Sequence, residues 1–260
     1  MRSILFRCPP AEADHLIAEI WEQGSAGILE EPEGLRAFFA SGVDIEELVA
    51  RYHDMVVDRR DEPAADWAQM SRENWDPVLL GERFFVAPPW LSDAPTPAGR
   101  IRLVMDCRRA FGTGRHESTQ LCVEALERYV TSGDSVADIG CGSGILSRVA
   151  RELGAGPIVS CDLDPVAVQE TQEIAGTAAF VGSANAIRSE WADIVVANIS
   201  AAAIDAMFDD LRRIARPGAT LILAGFLTGN PPRRFSPDHI ICKYDWSCWI
   251  LAHQPGVTYG

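Results

Sequence analysis

Val136-Ala137-Asp138-Ile139-Gly140-Cys141-Gly142-Ser143-Gly144-Ile145-Leu146 decides the fold. A short apolar strand carrying Asp138 runs into three alternating glycines, and a helical pattern follows. Glycine adopts positive φ readily and leaves room for a ligand to approach the main chain. In a doubly wound sheet, the crevice at the strand's carboxyl end is where ligands bind. Gly140, Gly142 and Gly144 are therefore candidate cradle residues. A dinucleotide fingerprint needs its third glycine three positions after the second. That position is Ile145, which disfavours a pyrophosphate grip.

Two later strand ends point to the same crevice. Ser160-Cys161-Asp162-Leu163-Asp164-Pro165 lies about twenty residues downstream, where an acidic side chain can accept hydrogen bonds from ribose hydroxyls. Asp162 is the candidate. Asp164-Pro165 reads instead as an N-cap with proline at the first helical position. Asp193-Ile194-Val195-Val196-Ala197-Asn198 is a buried-strand run that ends in an amide, so Asn198 can accept a bond from an amine at the crevice. Arg216-Pro217-Gly218 has proline and glycine where a type II turn demands them. In Phe111-Gly112-Thr113-Gly114-Arg115-His116-Glu117-Ser118-Thr119, two glycines make a loop, and Ser118 or Thr119 offers a hydroxyl at a helix start. A lone histidine such as His116 is more often a hydrogen-bonding support than a catalyst.

Alternating units from about residue 100 predict a mostly parallel sheet covered on both faces. Strands are expected at 101–105, 135–139, 158–162, 178–181, 192–197, 219–225, 239–244 and 247–252, the last two as an antiparallel edge hairpin. Helices are expected at 117–130, 144–153, 165–175 and 200–215. Residues 1–60 follow the order β-α-β-β-α-β, with strands at 2–8, 26–31, 35–40 and 54–59, a helix at 11–23 and a short one carrying Ile45, Leu48 and Val49. This is the ferredoxin-like pattern. Residues 61–100, with Trp67, Trp75, Pro88-Pro89-Trp90 and Pro95-Thr96-Pro97, read as a stiff extended connector whose tryptophans pack on a domain. The chain therefore divides into 1–60, 61–100 and 101–260.

Composition narrows the function. With 260 residues and 47% apolar content there is ample core. The charge, 23 − 37 = −14, is repelled by phosphate backbones and suits a basic partner, so a nucleic-acid partner is not expected. No run of ~18 apolar residues is present, and the start has too short an apolar stretch for a signal peptide. Seven cysteines without a Cys-x-x-Cys pair argue against a disulfide framework or a zinc site and for reduced thiols in the cytoplasm.

The G-x-G-x-G spacing after an acidic strand is the cradle seen in S-adenosylmethionine enzymes. Together with Ala110 to Thr119, Leu121-Cys122, Asp162-Leu163-Asp164-Pro165, Val196-Ala197-Asn198-Ile199, Asn74-Trp75 and Pro88-Pro89-Trp90, it resembles the PrmA family over roughly residues 70–250. These are methyltransferases that modify large-subunit ribosomal protein eleven. The resemblance implies a seven-stranded, Rossmann-like class I methyltransferase domain behind a small substrate-recognition domain, with S-adenosyl-L-methionine as cofactor. It implies methylation of lysine and N-terminal amines on a basic ribosomal protein in the cytoplasm. Thr119, Gly140, Asp162 and Asn198 match the cofactor-contacting positions, and Asn198 is the candidate for orienting the amine. Departures from the family pattern fall at Arg115 and Glu117 beside His116, at Ser183 where an acid is usual, at Ser200 where leucine is usual, and at 226–237, too short for the usual last helix. They keep open the same cofactor chemistry on another protein or on a small molecule.

Overall fold

The computed structural model describes residues 2–9, 16–17, 19–20, 23–31, 33–40, 42–61, 77–105 and 114–253 (at 26, 29 and 30 the backbone alone). The chain forms two compact units, Met1–Trp75 and Asp76–Gly260.

In the first unit, strands β1 (Arg2–Phe6), β2 (Ser25–Glu31), β3 (Gly34–Phe39) and β4 (Val56–Asp61) and helix α1 (Glu46–Arg51) follow one another. The sheet order is β2-β3-β1-β4 and every pair is antiparallel. This is the ferredoxin-like order. Residues 16–17 and 19–20 are helical, and Gly24 follows at φ +82°. Period-two alternation sends Ile4, Phe6, Ala37 and Phe39 to one face, where they pack with Leu16, Ile20, Ile45 and Leu48.

The second unit opens with β5 (Val78–Leu80), β6 (Phe84–Ala87) and β7 (Ile101–Val104), a three-stranded sheet of its own. Two expectations are corrected here. The strand at 101–105 does not join the large sheet, and the segment 61–100 is folded from residue 78 onward rather than being an extended connector. Arginines and an acid supply the reason. Arg102 donates to the carbonyls of Leu91 and Ala94, and Arg100 to those of Gly81 and Phe84. The Glu127 carboxylate accepts the amides of Glu82 and Arg83. Leu80, Phe84 and Leu103 are then free to enter the core, all at 0% exposure. Trp67 and Trp75 lie outside the described residues.

The remaining elements are α2 (Glu117–Tyr129), β8 (Val136–Ile139), α3 (Ile145–Glu152), β9 (Ile158–Asp162), α4 (Pro165–Ala175), β10 (Ala178–Val181), β11 (Ala192–Asn198), α5 (Ala201–Ile214), β12 (Ala215–Leu227), β13 (His239–Lys243) and β14 (Trp246–Ala252). They build a seven-stranded sheet of order β10-β9-β8-β11-β12-β14-β13. Only β14 runs against the direction of the other six. Val136, Val196, Ile222 and Ile250 face α2 and α3. Ala137, Val195, Leu223 and Leu251 face α5. Strand order reverses between β8 and β11, so the crevice opens at their carboxyl ends.

The expected turn at 216–218 is absorbed into β12. Ala215 pairs with Ala192, pairing resumes at Thr220 with Ile194, and the residues between bulge outward, with Gly218 at φ +85°. In place of a last helix, residues 228–238 run as a strap over α5. Asp205 accepts the amides of Arg233 and Arg234, while Phe235 stacks on Phe208 at 3.8 Å and meets Trp249 edge-on. Phe235→Ala is expected to destabilise the fold by about 3 kcal/mol or more in urea unfolding, because its cavity cannot collapse onto a flat ring partner. A loss under about 1 kcal/mol, within the range of an ordinary surface change, would show that the strap is not part of the core.

Candidate active site

The glycine loop needs positive φ at three positions: Gly140 at +74°, Gly142 at +51° and Gly144 at +78°. An L side chain there would be strained by roughly 1–2 kcal/mol at each. The loop is also pinned from β9. The amides of Gly140 and Cys141 both donate to the carbonyl of Cys161 (2.8 and 3.1 Å). The amide of Gly142 donates to the Asp162 carboxylate at 3.0 Å, and the other oxygen of that carboxylate accepts the Asp164 amide at 3.0 Å. Thr171 of α4 closes the loop from outside, donating its hydroxyl to the Gly142 carbonyl. A Cβ on Gly144 would meet the Thr171 backbone at 2.8 Å. Asp164 caps α4 as expected, its side chain accepting from the Val166 amide.

The second half of the site lies across the topological switch. Thr119, 3% exposed on the first turn of α2, receives a hydrogen bond from Asn198 Nδ2 at 3.2 Å. Asn198 Oδ1 is buried and has no hydrogen-bond partner among the described residues. Such an orphan acceptor is worth roughly 1–3 kcal/mol to whatever donor satisfies it. The structure thus brings Gly140, Gly142 and Gly144 together with Asp162, and Thr119 together with Asn198. Phe111, Gly112 and Thr113 lie outside the described residues.

His116 is the N-cap of α2. Its Nδ1 accepts the Ser118 amide, lies 2.7 Å from the Ser118 hydroxyl, and the ring stands edge-on to Trp246 at 4.3 Å. That nitrogen is occupied by the helix, not offered to a substrate. Nor do the loop thiols provide a nucleophile. Burial pushes Cys161 up to about 12 and Cys141 well above its usual value, so both stay protonated.

Sequence reasoning missed two apolar residues at the same end of the sheet. Leu163, after Asp162, is 77% exposed, and Val181 at the end of β10 is 54% exposed. The signal for Leu163 was present: an apolar residue between two aspartates beyond a strand end.

These features fit S-adenosylmethionine. Asp162 spends one acceptor site on each oxygen and retains lone pairs for two ribose hydroxyls. Leu163 and Val181 offer apolar surface to a base. Asn198 Oδ1 lacks a partner among the described residues and can accept from an N–H donor.

Comparison with known proteins decides the family. A family model described as ribosomal protein L11 methyltransferase (PrmA) matches residues 15–233. The chain belongs to the PrmA family. A ribosomal protein L11 methyltransferase of Dechloromonas aromatica (strain RCB) is 35% identical over 238 residues, covering 88% of this chain and 75% of that protein. One from Burkholderia ambifaria (strain MC40-6) is 40% identical over 173 residues, covering 65% of this chain and 57% of that protein. The chain thus spans three quarters of the first relative's length and little over half of the second's. The crystal structure of the ribosomal protein L11 methylase from Lactobacillus delbrueckii subsp. bulgaricus superposes with a TM-score of 0.64 at 24% identity, covering 69% of this chain and all of that one. That likeness shows the fold, an α/β architecture around a large, mostly parallel sheet.

One buried acid gives a pH prediction. Asp138 of β8 is 0% exposed; its Oδ2 accepts the Ser147 amide and hydroxyl, while Oδ1 has no partner among the described residues. Burial outweighs those bonds and raises its pKa from 3.8 to about 6. The folded state therefore binds the proton more tightly than the unfolded chain, and stability falls as pH rises through that window. Between pH 4 and pH 6, urea unfolding is expected to show wild type losing stability relative to Asp138→Asn. Parallel pH profiles for the two proteins would contradict the assignment.

Proposed function

We propose that the chain is an S-adenosylmethionine-dependent N-methyltransferase that modifies lysine and N-terminal amines of ribosomal protein L11. Family membership supports the substrate, and the orphan Asn198 Oδ1 is the single observation that carries the chemistry. When bound, S-adenosylmethionine supplies a methyl group on a positively charged sulfur. Asp162 and the glycine loop hold its nucleoside and amino-acid parts. Thr119 fixes the amide plane of Asn198 through Nδ2, so that Oδ1 faces the amine.

A lysine amine has an ordinary pKa of about 10.4, so little of it is neutral in solution. Burial at the crevice and a nearby positive charge disfavour the ammonium form. Asn198 Oδ1 then accepts one N–H of the neutral amine and directs its lone pair. Positioning of this kind supplies up to ~7–11 kcal/mol in favourable intramolecular cases, without a covalent enzyme intermediate. The ammonium proton is lost to water before the attack; methyl transfer then breaks the methyl–sulfur bond, leaving a neutral thioether and a methylated ammonium.

The acidic chain, at −14, favours encounter with a basic ribosomal protein. We assign substrate recognition to the four-stranded N-terminal unit and the reaction to the cytoplasm. Among the described residues no helix is long and apolar enough to cross a membrane.

Labelled S-adenosylmethionine incubated with the chain and purified L11 is expected to mark L11 on amine nitrogen. Absence of label would remove the substrate assignment. Asn198→Ala is expected to lower kcat by about ten-fold to a hundred-fold while cofactor affinity changes much less, since the lost contact acts on the amine. Equal losses in both would make Asn198 a cofactor contact instead.

A further inference from the structure

Ile199 joins the two halves of the site. It follows Asn198 and is wedged between Gly140 of the loop after β8 and Gly225 of β12. A Cβ on Gly140 would come within 2.4 Å of Ile199 Cγ2. A Cβ on Gly225 would come within 2.4 Å of the Ile199 carbonyl oxygen and 2.7 Å of its amide nitrogen. Gly225 has φ +97° and lies where the pairing of β12 with β14 shifts between Leu223 and Phe226. The Ile199 amide donates to the Ala224 carbonyl at 2.9 Å, immediately before this bulge. The side chain packs on the apolar cluster between the sheet and α5.

From this geometry we infer that Ile199 is a positioning residue. Its side chain seats the Gly140 turn of the cofactor loop, and its backbone, gripped by the β12 bulge, fixes the direction in which Asn198 leaves β11. The bulge makes the extra backbone room that such a grip needs, at the expense of regular pairing. Loop position and amide aim are then one coupled adjustment. A residue that only filled space would couple to Gly140 through the shared contact but would leave kcat on L11 unchanged when shortened to alanine.

The test is a double-variant cycle on the full chain: wild type, G140A, I199A and G140A/I199A, with I199V as the conservative control. Affinity for S-adenosylmethionine is read by calorimetry. The loss caused by G140A is expected to be at least about five-fold smaller when residue 199 is alanine, because Cγ2 is gone. Valine keeps a methyl in the Cγ2 position, so I199V is expected to bind and turn over like wild type. I199A alone is expected to weaken S-adenosylmethionine binding about five-fold, because the Gly140 turn loses its seat, and to lower kcat on L11 as well, because the coupled shift turns Asn198. Equal losses from G140A in both backgrounds would overturn the inference, as would an unchanged kcat in I199A. Should G140A fail to fold, a folded, cofactor-binding double variant supports the wedge, and an unfolded one overturns it. The kcat measurement rests on the L11 methyltransferase reading, whereas the binding cycle does not. Wild type that leaves L11 unlabelled would therefore sink that reading while the cycle still decides the wedge.

Discussion

The hydrogen bond from the Gly142 amide to the Asp162 carboxylate is the constraint on which the site depends. It ties a loop with three positive-φ glycines to the end of the neighbouring strand. Each glycine alone would be a flexible hinge. Fastened to Cys161 and Asp162 on one side and Thr171 on the other, the loop becomes a fixed element at the end of the sheet. Asp162 thus has two tasks, holding its own protein and keeping lone pairs for a ligand.

Among the buried acceptor atoms without partners in the described residues, two lie at this site, Asp138 Oδ1 beneath the loop and Asn198 Oδ1 beside it. Most buried polar groups in folded proteins are satisfied, so such groups point to function or stored strain. Asp138 reaches α3 through Ser147, whose hydroxyl lies 2.8 Å from that of Ser160 on β9. Apart from Ser247 on β14, the buried polar side chains on the strands of this sheet are Asp138 on β8 and Ser160 on β9, beside the crevice. The rest of the sheet is packed with aliphatic and aromatic side chains on both faces.

Much of this was legible in the residues because the signals were local. The glycine triplet, the acidic strand end and the Asp164-Pro165 cap each follow from dihedral preferences and spacing over a few positions. Helices α2 to α5 lie within a residue or two of their expected limits for the same reason. What escaped depended on long-range partners. The three-stranded sheet at 78–104 is held by Arg100, Arg102 and Glu127, whose contacts no short window reveals. The grip on Ile199 needs residues 140 and 225 together, and the strap needs Asp205 beneath Arg233. The lone histidine was correctly weighted toward support, since its ring nitrogen caps a helix.

The most direct measurement of the central claim is a calorimetric titration with S-adenosylmethionine, repeated for Asp162→Ala and with a nicotinamide dinucleotide as competitor. The account predicts binding that weakens by about 1–3 kcal/mol in the variant and is indifferent to the dinucleotide. Affinity unaltered by the substitution, or displacement by the pyrophosphate compound, would contradict it.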